Sequence, residues 1–184
     1  IKFQTFADGK LVTSTAAKAE YQGRSTDAGE SQQAMLRRLE LSRAAHHDLM
    51  AYCQARGIEF FSTAFDESSF EFLVDLGLKR FKISSGDVTN LPYLRRVGRR
   101  GQPVILSTGM ATLKAAGDAV DVLEKAGTPR QVITVLHCNT EYPTPMSDVN
   151  LRAMLTIGQE LGVAIGYSDH TVGIEVPIAA VALG

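Results

Sequence analysis

Six short β-rich runs recur along the chain with helical patterns between them, and this alternation limits the possible folds more than any other feature. The runs cover residues 1–6, 59–64, 80–85, 103–108, 131–138 and 163–168. The intervening helices carry readable punctuation. Ser42 can cap a helix that ends at Gly57, Asp66 one that ends at Gly77, and Thr112 one that ends near Gly127. Asn90, with Pro92 just inside, opens a helix that stops by Gly101; Asn150 opens one that ends at Gly162; Gly173 begins the last. Short polar side chains accept hydrogen bonds from the free N–H groups of a first turn, and glycine tolerates the left-handed residue that closes a last turn. The later strand-to-strand intervals are about 20–30 residues, the size of a βα unit. Strict alternation with apolar strands implies a parallel sheet covered by helices.

Two α/β architectures fit, an open doubly wound sheet and a closed (β/α)8 TIM barrel. A barrel takes about 250 residues, so six units in 184 residues would leave it incomplete by about two units. Both chain ends read as cut, with a strand at the first residue and an apolar helix at the last. No GxGxxG follows a strand, which leaves a dinucleotide site without support. Residues 8–30 break the rhythm. They are polar and lack apolar periodicity, so a functional or mobile loop is expected there.

Composition excludes several classes. With 45% hydrophobic and 21% charged residues the chain is not disordered throughout. A formal net charge of −1 argues against nucleic acid or an anionic membrane as main partner. Arg95, Arg96, Arg99 and Arg100 stand at helical spacing and read as a solvated helix face. Cys53 and Cys138 form no CxxC, so no disulfide framework or zinc knuckle is expected, and a reducing, cytoplasmic setting fits. No apolar run reaches the ~18 residues of a membrane span.

Strand parity sorts the polar residues. Successive side chains on a strand face opposite sides, so Phe81 and Ile83 oppose Lys82, and Val104 and Leu106 oppose Ser107. If the apolar faces meet helices, the other face carries Lys2, Gln4, Lys82, Ser107, Ser168 and His170, with Thr63, Ser85, Thr140 and Tyr142 at matching strand ends. Ligands of parallel βα folds bind at the C-terminal ends of strands. Two ammonium groups among hydroxyls suit a phosphorylated, carboxylated ligand, because compact positive charge and hydroxyl donors both match anionic oxygen. His170 reads either as a hydrogen-bonded structural residue or as a metal ligand. No second His or Cys lies at i+2 to i+5, so spacing alone builds no metal site. His137 reads as facing the core or backing the site, and His46 and His47 as helix-surface residues.

Six blocks resemble one family: Lys2-Phe3-Gln4-Thr5, Phe61-Ser62-Thr63-Ala64-Phe65, Phe81-Lys82-Ile83-Ser84-Ser85-Gly86-Asp87, Ile105-Leu106-Ser107-Thr108-Gly109-Met110, Leu136-His137-Cys138-Asn139-Thr140-Glu141-Tyr142-Pro143-Thr144-Pro145, and Gly166-Tyr167-Ser168-Asp169-His170-Thr171. In this order they resemble the sialic acid synthases, meaning N-acetylneuraminate synthase and its legionaminate and pseudaminate relatives. The polar segment Lys18-Ala19-Glu20-Tyr21-Gln22 resembles the bacterial members. The resemblance implies a TIM barrel followed by an antifreeze-like domain. Residues 1–184 would be a partial catalytic barrel, strands two to seven, without the first strand, the eighth strand or the C-terminal domain.

The implied reaction condenses phosphoenolpyruvate with an N-acetylated hexosamine, such as N-acetylmannosamine, to a nine-carbon 2-keto sugar acid and phosphate. By this resemblance Lys2, Thr63, Lys82, Ser85, Ser107, Tyr142 and Ser168 match phosphoenolpyruvate-contacting positions. Gln4 matches a position near the amino sugar. Thr140 stands where a family member has Asn, though a hydroxyl still donates to phosphate. Asp87, where Glu also occurs, matches a group that handles the sugar or a proton, and Lys2 and Lys82 are the other expected catalytic residues. His170 matches a ligand of Mn2+ or Mg2+. A homodimer is implied for the full-length protein, and inactivity for residues 1–184 alone. A Schiff-base aldolase using Lys82, or an inactive fragment with residual anion binding, would also use these lysines.

Overall fold

The computed structural model describes residues 1–7, 9–27 and 29–184; Asp8 and Ala28, and the side chains of Arg24 and Ser25, lie outside that description. The chain divides into two compact units, Ile1–Leu78 and Lys79–Gly184.

In the first unit, strand β1 (Lys2–Thr5) pairs in parallel with β2 (Phe61–Ala64), in a register that sets Lys2 beside Phe61 and Gln4 beside Thr63. Helices α1 (Glu20–Ser25), α2 (Gln32–Leu39) and α3 (Arg43–Ala55) lie between the strands, and α4 (Glu67–Asp75) follows β2. Ser42 and Asp66 cap α3 and α4 as their sequence positions predict, each accepting a backbone N–H three residues on. Phe6, Met35, Cys53, Phe60, Phe70, Phe72 and Leu73 form the core. The Asp66 carboxylate also accepts the backbone N–H of Ala7 at 3.0 Å, which ties the end of β1 to the start of α4. Desolvation opposes its ionisation, but hydrogen bonds from Ser68, Ser69 and Ala7 outweigh it and hold its pKa at about 2.

Two expectations change here. The polar segment 8–30 contains α1, and its partly buried Lys18 ammonium donates to Thr26 Oγ1, to the Asp27 carbonyl and to Glu30, which Arg38 of α2 also engages. A cross-braced segment therefore replaces the bare loop; partners 8 to 12 residues apart carry no periodic signal. His46 is not a surface residue. It is 1% exposed, with Nδ1 2.8 Å from the Ser42 carbonyl and Nε2 2.8 Å from Thr5 Oγ1, which in turn meets Ser62 Oγ at 2.6 Å.

In the second unit, β3 (Phe81–Ile83), β4 (Val104–Ser107), β5 (Ile133–Cys138) and β6 (Ala164–Ser168) pair in parallel in chain order. Helices α5 (Leu91–Gly98), α6 (Leu113–Ala126), α7 (Arg152–Leu161) and α8 (Glu175–Ala182) follow them in turn. Asn90 and Thr112 cap α5 and α6 as read from the sequence. Leu151, not Asn150, precedes α7, and Asn150 contributes its backbone carbonyl to the Ala153 N–H instead of a side-chain cap.

Registers extend the parity argument across this unit. Phe81, Ile83, Val104, Leu106, Ile133 and Val135 share one fully buried face. Lys82, Ile105, Ser107, Leu136, Cys138, Gly166 and Ser168 share the other. α5 lies directly on α6 because Gly98 has no side chain. A Cβ there would sit 2.6 Å from Ala126 Cβ and 2.8 Å from the Leu123 carbonyl. Any larger residue at 98 must push the helices apart, and close-packed interiors yield little.

Candidate functional site

The candidate residues divide between the units. In the first, Lys2 and Gln4 share a face of β1, and Thr63 joins that face through its register with Gln4. Lys2 is exposed, yet desolvation of its ammonium lowers the pKa. Thr63 is buried, and its Oγ1 has no hydrogen-bond partner among the described residues.

In the second unit, Lys82 is half-buried on β3. Ser85 opens a 3-10 turn, Ser85–Asp87, directly after the strand. Asp87 accepts Ser84 Oγ at 2.8 Å and Asn90 Nδ2 at 3.3 Å, so its carboxylate is anchored within its own turn. Ser107 ends β4, buried, with an unpartnered Oγ. A buried hydroxyl left without a partner costs free energy that a water or ligand oxygen would recover. Thr63 and Ser107 are thus positions where polar capacity is held in reserve.

The segment after β5 meets the end of β6 in a tight cluster. A carbonyl oxygen can only accept, so the 2.7 Å contact between His170 Nδ1 and the Asn139 carbonyl places the proton on Nδ1. Nε2 keeps its lone pair, with Ser168 Oγ at the long distance of 3.4 Å. The Tyr142 ring stacks on the imidazole at 4.1 Å between centroids while remaining 51% exposed. Thr144 is buried behind them; its N–H donates to the His170 carbonyl at 2.8 Å and its Oγ1 to the Glu141 carbonyl at 3.1 Å. The intervening Tyr142–Pro143 bond is cis. Thr140 is exposed in the same segment. Gly109 lets the β4–α6 loop approach it, since a Cβ there would lie 3.1 Å from Thr140 Cγ2 and 3.2 Å from Cys138 Sγ.

Ser168, His170 and Tyr142 are therefore brought together, with Ser107 and Lys82 on the sheet face that Ser168 shares. Sequence reasoning missed Asn139 and Thr144. Asn139 acts on His170 through its main chain, which leaves no side-chain signature; the Pro143-Thr144-Pro145 run does mark a constrained turn. Among the described residues no group of three His, Cys, Asp or Glu could hold a metal by itself, so the one imidazole nitrogen at His170 is this cluster's free nitrogen donor. His137 and Tyr167 lie on the opposite face, their ring centroids 5.8 Å apart. Burial lowers the His137 pKa and, ahead of the charges of Asp169 and Cys138, raises that of Tyr167.

These features define a parallel α/β protein with polar side chains gathered at strand ends in each unit. The chain matches the NeuB family over residues 1–184 and belongs to it. It is 47% identical over 184 residues to the N,N'-diacetyllegionaminic acid synthase of Campylobacter jejuni, covering 100% of this chain and 55% of that one. The corresponding synthase of Legionella pneumophila is 44% identical over 186 residues, with 100% and 52% covered. The chain therefore spans about half the length of these curated relatives. The crystal structure of N-acetylneuraminic acid synthetase from Leptospira borgpetersenii, in complex with citrate, superposes with a TM-score of 0.81 at 30% identity, covering 100% of this chain and 58% of that one.

Proposed function

We propose that the protein to which this chain belongs is a nonulosonic acid synthase. It joins phosphoenolpyruvate to an N-acetylated hexosamine, giving a nine-carbon 2-keto sugar acid and phosphate. The two legionaminic acid synthases described above favour a legionaminic acid among the possible products. On this reading residues 1–184 supply strands two to seven of a (β/α)8 barrel, and the full-length protein is a cytoplasmic homodimer.

The observation that carries the reading is His170, its Nδ1–H committed to the Asn139 carbonyl and its Nε2 open beside Ser168. This arrangement fits a divalent metal, Mn2+ or Mg2+, for which His170 would be the ligand from this chain. When bound, such a metal would polarise the aldehyde of the open-chain sugar as a Lewis acid. Lys2 and Lys82 would hold the phosphate and carboxylate of phosphoenolpyruvate, aided by the hydroxyls of Thr63, Ser85, Ser107, Thr140 and Ser168. Tyr142 would wall the site, Gln4 would orient the amino sugar, and Asp87 would bind a sugar hydroxyl or relay a proton.

The methylene carbon of phosphoenolpyruvate forms the new C–C bond to the aldehyde carbon. Water adds to the resulting cationic C2, and the C2–O bond breaks as phosphate leaves. The lysines offset charge on the tetrahedral intermediate, and holding both reactants in register removes much of the entropic barrier. The test is phosphate release by the full-length enzyme. It should require phosphoenolpyruvate, an N-acetylated hexosamine and a divalent metal together. Release that persists after exhaustive chelation removes the metal from the reading, and release without the amino sugar removes the condensation.

A further inference from the structure

A cleft of about 480 Å³ lies in the second unit, where α6 and α7 begin. The first turn of α6 and the first turns of α7 form its walls, with Thr112 and Ala116 on one side and Arg152 on the other. His137 and Asn139 also line it. Its volume falls within the range of about 300–1,000 Å³ usual for small-molecule sites.

Three features give the cleft a chemistry. The Asn139 Oδ1 and His137 Nε2 atoms are buried without hydrogen-bond partners among the described residues. The Arg152 guanidinium makes no ion pair or side-chain hydrogen bond among the described residues. An occupant therefore needs one anionic group for Arg152, and hydroxyl or amide N–H donors to satisfy the Asn139 amide oxygen when a side-chain shift uncovers it. His137 offers its ring nitrogen as acceptor or donor according to tautomer.

The cleft is connected to the candidate site through a single residue. Asn139 lines it with its side chain, whose Nδ2 donates to the Asp148 carbonyl at 3.2 Å, and holds His170 Nδ1 with its main-chain oxygen. An occupant that recruits the Asn139 amide acts on the peptide that orients His170. We propose that this cleft is a regulatory site for a small polyhydroxylated anion, a sugar carboxylate or a sugar phosphate, whose binding alters turnover by displacing the Asn139–His170 contact. The effect on turnover rests on the functional reading above; the binding does not.

The experiment uses the full-length protein saturated with phosphoenolpyruvate and with the amino sugar N-acetylmannosamine present, so that the strand-end site is occupied. N-acetylneuraminate and mannose 6-phosphate are each titrated in by calorimetry. One of the two should still bind, and Arg152→Ala should weaken that binding at least tenfold while leaving turnover without the probe unchanged. The same probe should lower kcat without raising KM for phosphoenolpyruvate, and Arg152→Ala should relieve that inhibition. Preference for one probe decides between carboxylate and phosphate. Loss of all binding under saturating phosphoenolpyruvate, or binding unaltered by Arg152→Ala, overturns the site. Binding with unchanged kcat overturns the regulatory role. A protein that binds at the cleft but turns nothing over would instead refute the synthase reading.

Discussion

His46 and His170 use the same device to opposite ends. Each commits Nδ1–H to a main-chain carbonyl, Ser42 at 2.8 Å and Asn139 at 2.7 Å, so in the neutral ring each has Nε2 as its accepting nitrogen. At His46 that nitrogen receives Thr5 Oγ1 at 2.8 Å, and Ser62 closes the chain of hydroxyls in a fully buried pocket. At His170 the nearest hydroxyl stands 3.4 Å away under an exposed tyrosine ring. A filled second nitrogen makes a histidine part of the core, whereas an open one keeps it available to a ligand. A main-chain carbonyl sets the tautomer in both, so the function of each ring is decided by what its other side meets.

This contrast breaks most visibly at His170. His170→Ala in the full-length enzyme should cut kcat/KM by about 10²–10³-fold, the size of one lost electrostatic stabiliser, and leave the thermal midpoint nearly unchanged. His46→Ala should do the reverse. It removes a buried ring and takes one hydrogen bond each from Thr5 Oγ1 and the Ser42 carbonyl, so stability should fall by about 2–4 kcal/mol with full activity per folded molecule. Chemical denaturation beside phosphate-release kinetics tests both, and equal stability losses would end the distinction.

The hydroxyls sharpen it further. Ser107→Ala deletes a buried group with no partner, so stability should hold or rise slightly while KM for phosphoenolpyruvate rises about tenfold, equivalent to about 1.4 kcal/mol. Thr5→Val removes a group with two partners and should lose about 1–3 kcal/mol of stability, with KM unmoved.

The smallest effect lies at the cap of α4. The Asp66 pKa is about 2, below the ordinary 3.8. A carboxyl depressed on folding stabilises the native state above the ordinary value, and that contribution is lost as pH falls from about 4 towards 2. Asp66→Asn should flatten stability against pH in that window and change little of its slope above pH 5; an unaltered slope between pH 4 and 2 would show the cap hydrogen bonds to be idle.

Much of the fold is legible in short stretches. All six strands lie inside the runs read from the sequence, and the caps at Ser42, Asp66, Asn90 and Thr112 form as their positions require. These signals are local, since a cap, a turn glycine or an alternating strand involves partners within a few residues. The face shared by Lys82, Ser107 and Ser168 was legible for the same reason, because parity follows from the two-residue repeat. The helix α1 and the bracing of Lys18 by Glu30 were not, since the expected loop has no apolar period to mark them.

The sequence by itself determined the α/β class, the alternation of strand and helix, and which polar residues share a strand face. Only the tertiary structure decided that His46 is enclosed and His170 open. His46 meets Thr5 across 41 residues, and His170 meets the Asn139 carbonyl across 31. A main-chain oxygen is chemically the same at nearly every position, so its choice of partner is settled by where packing carries the chain.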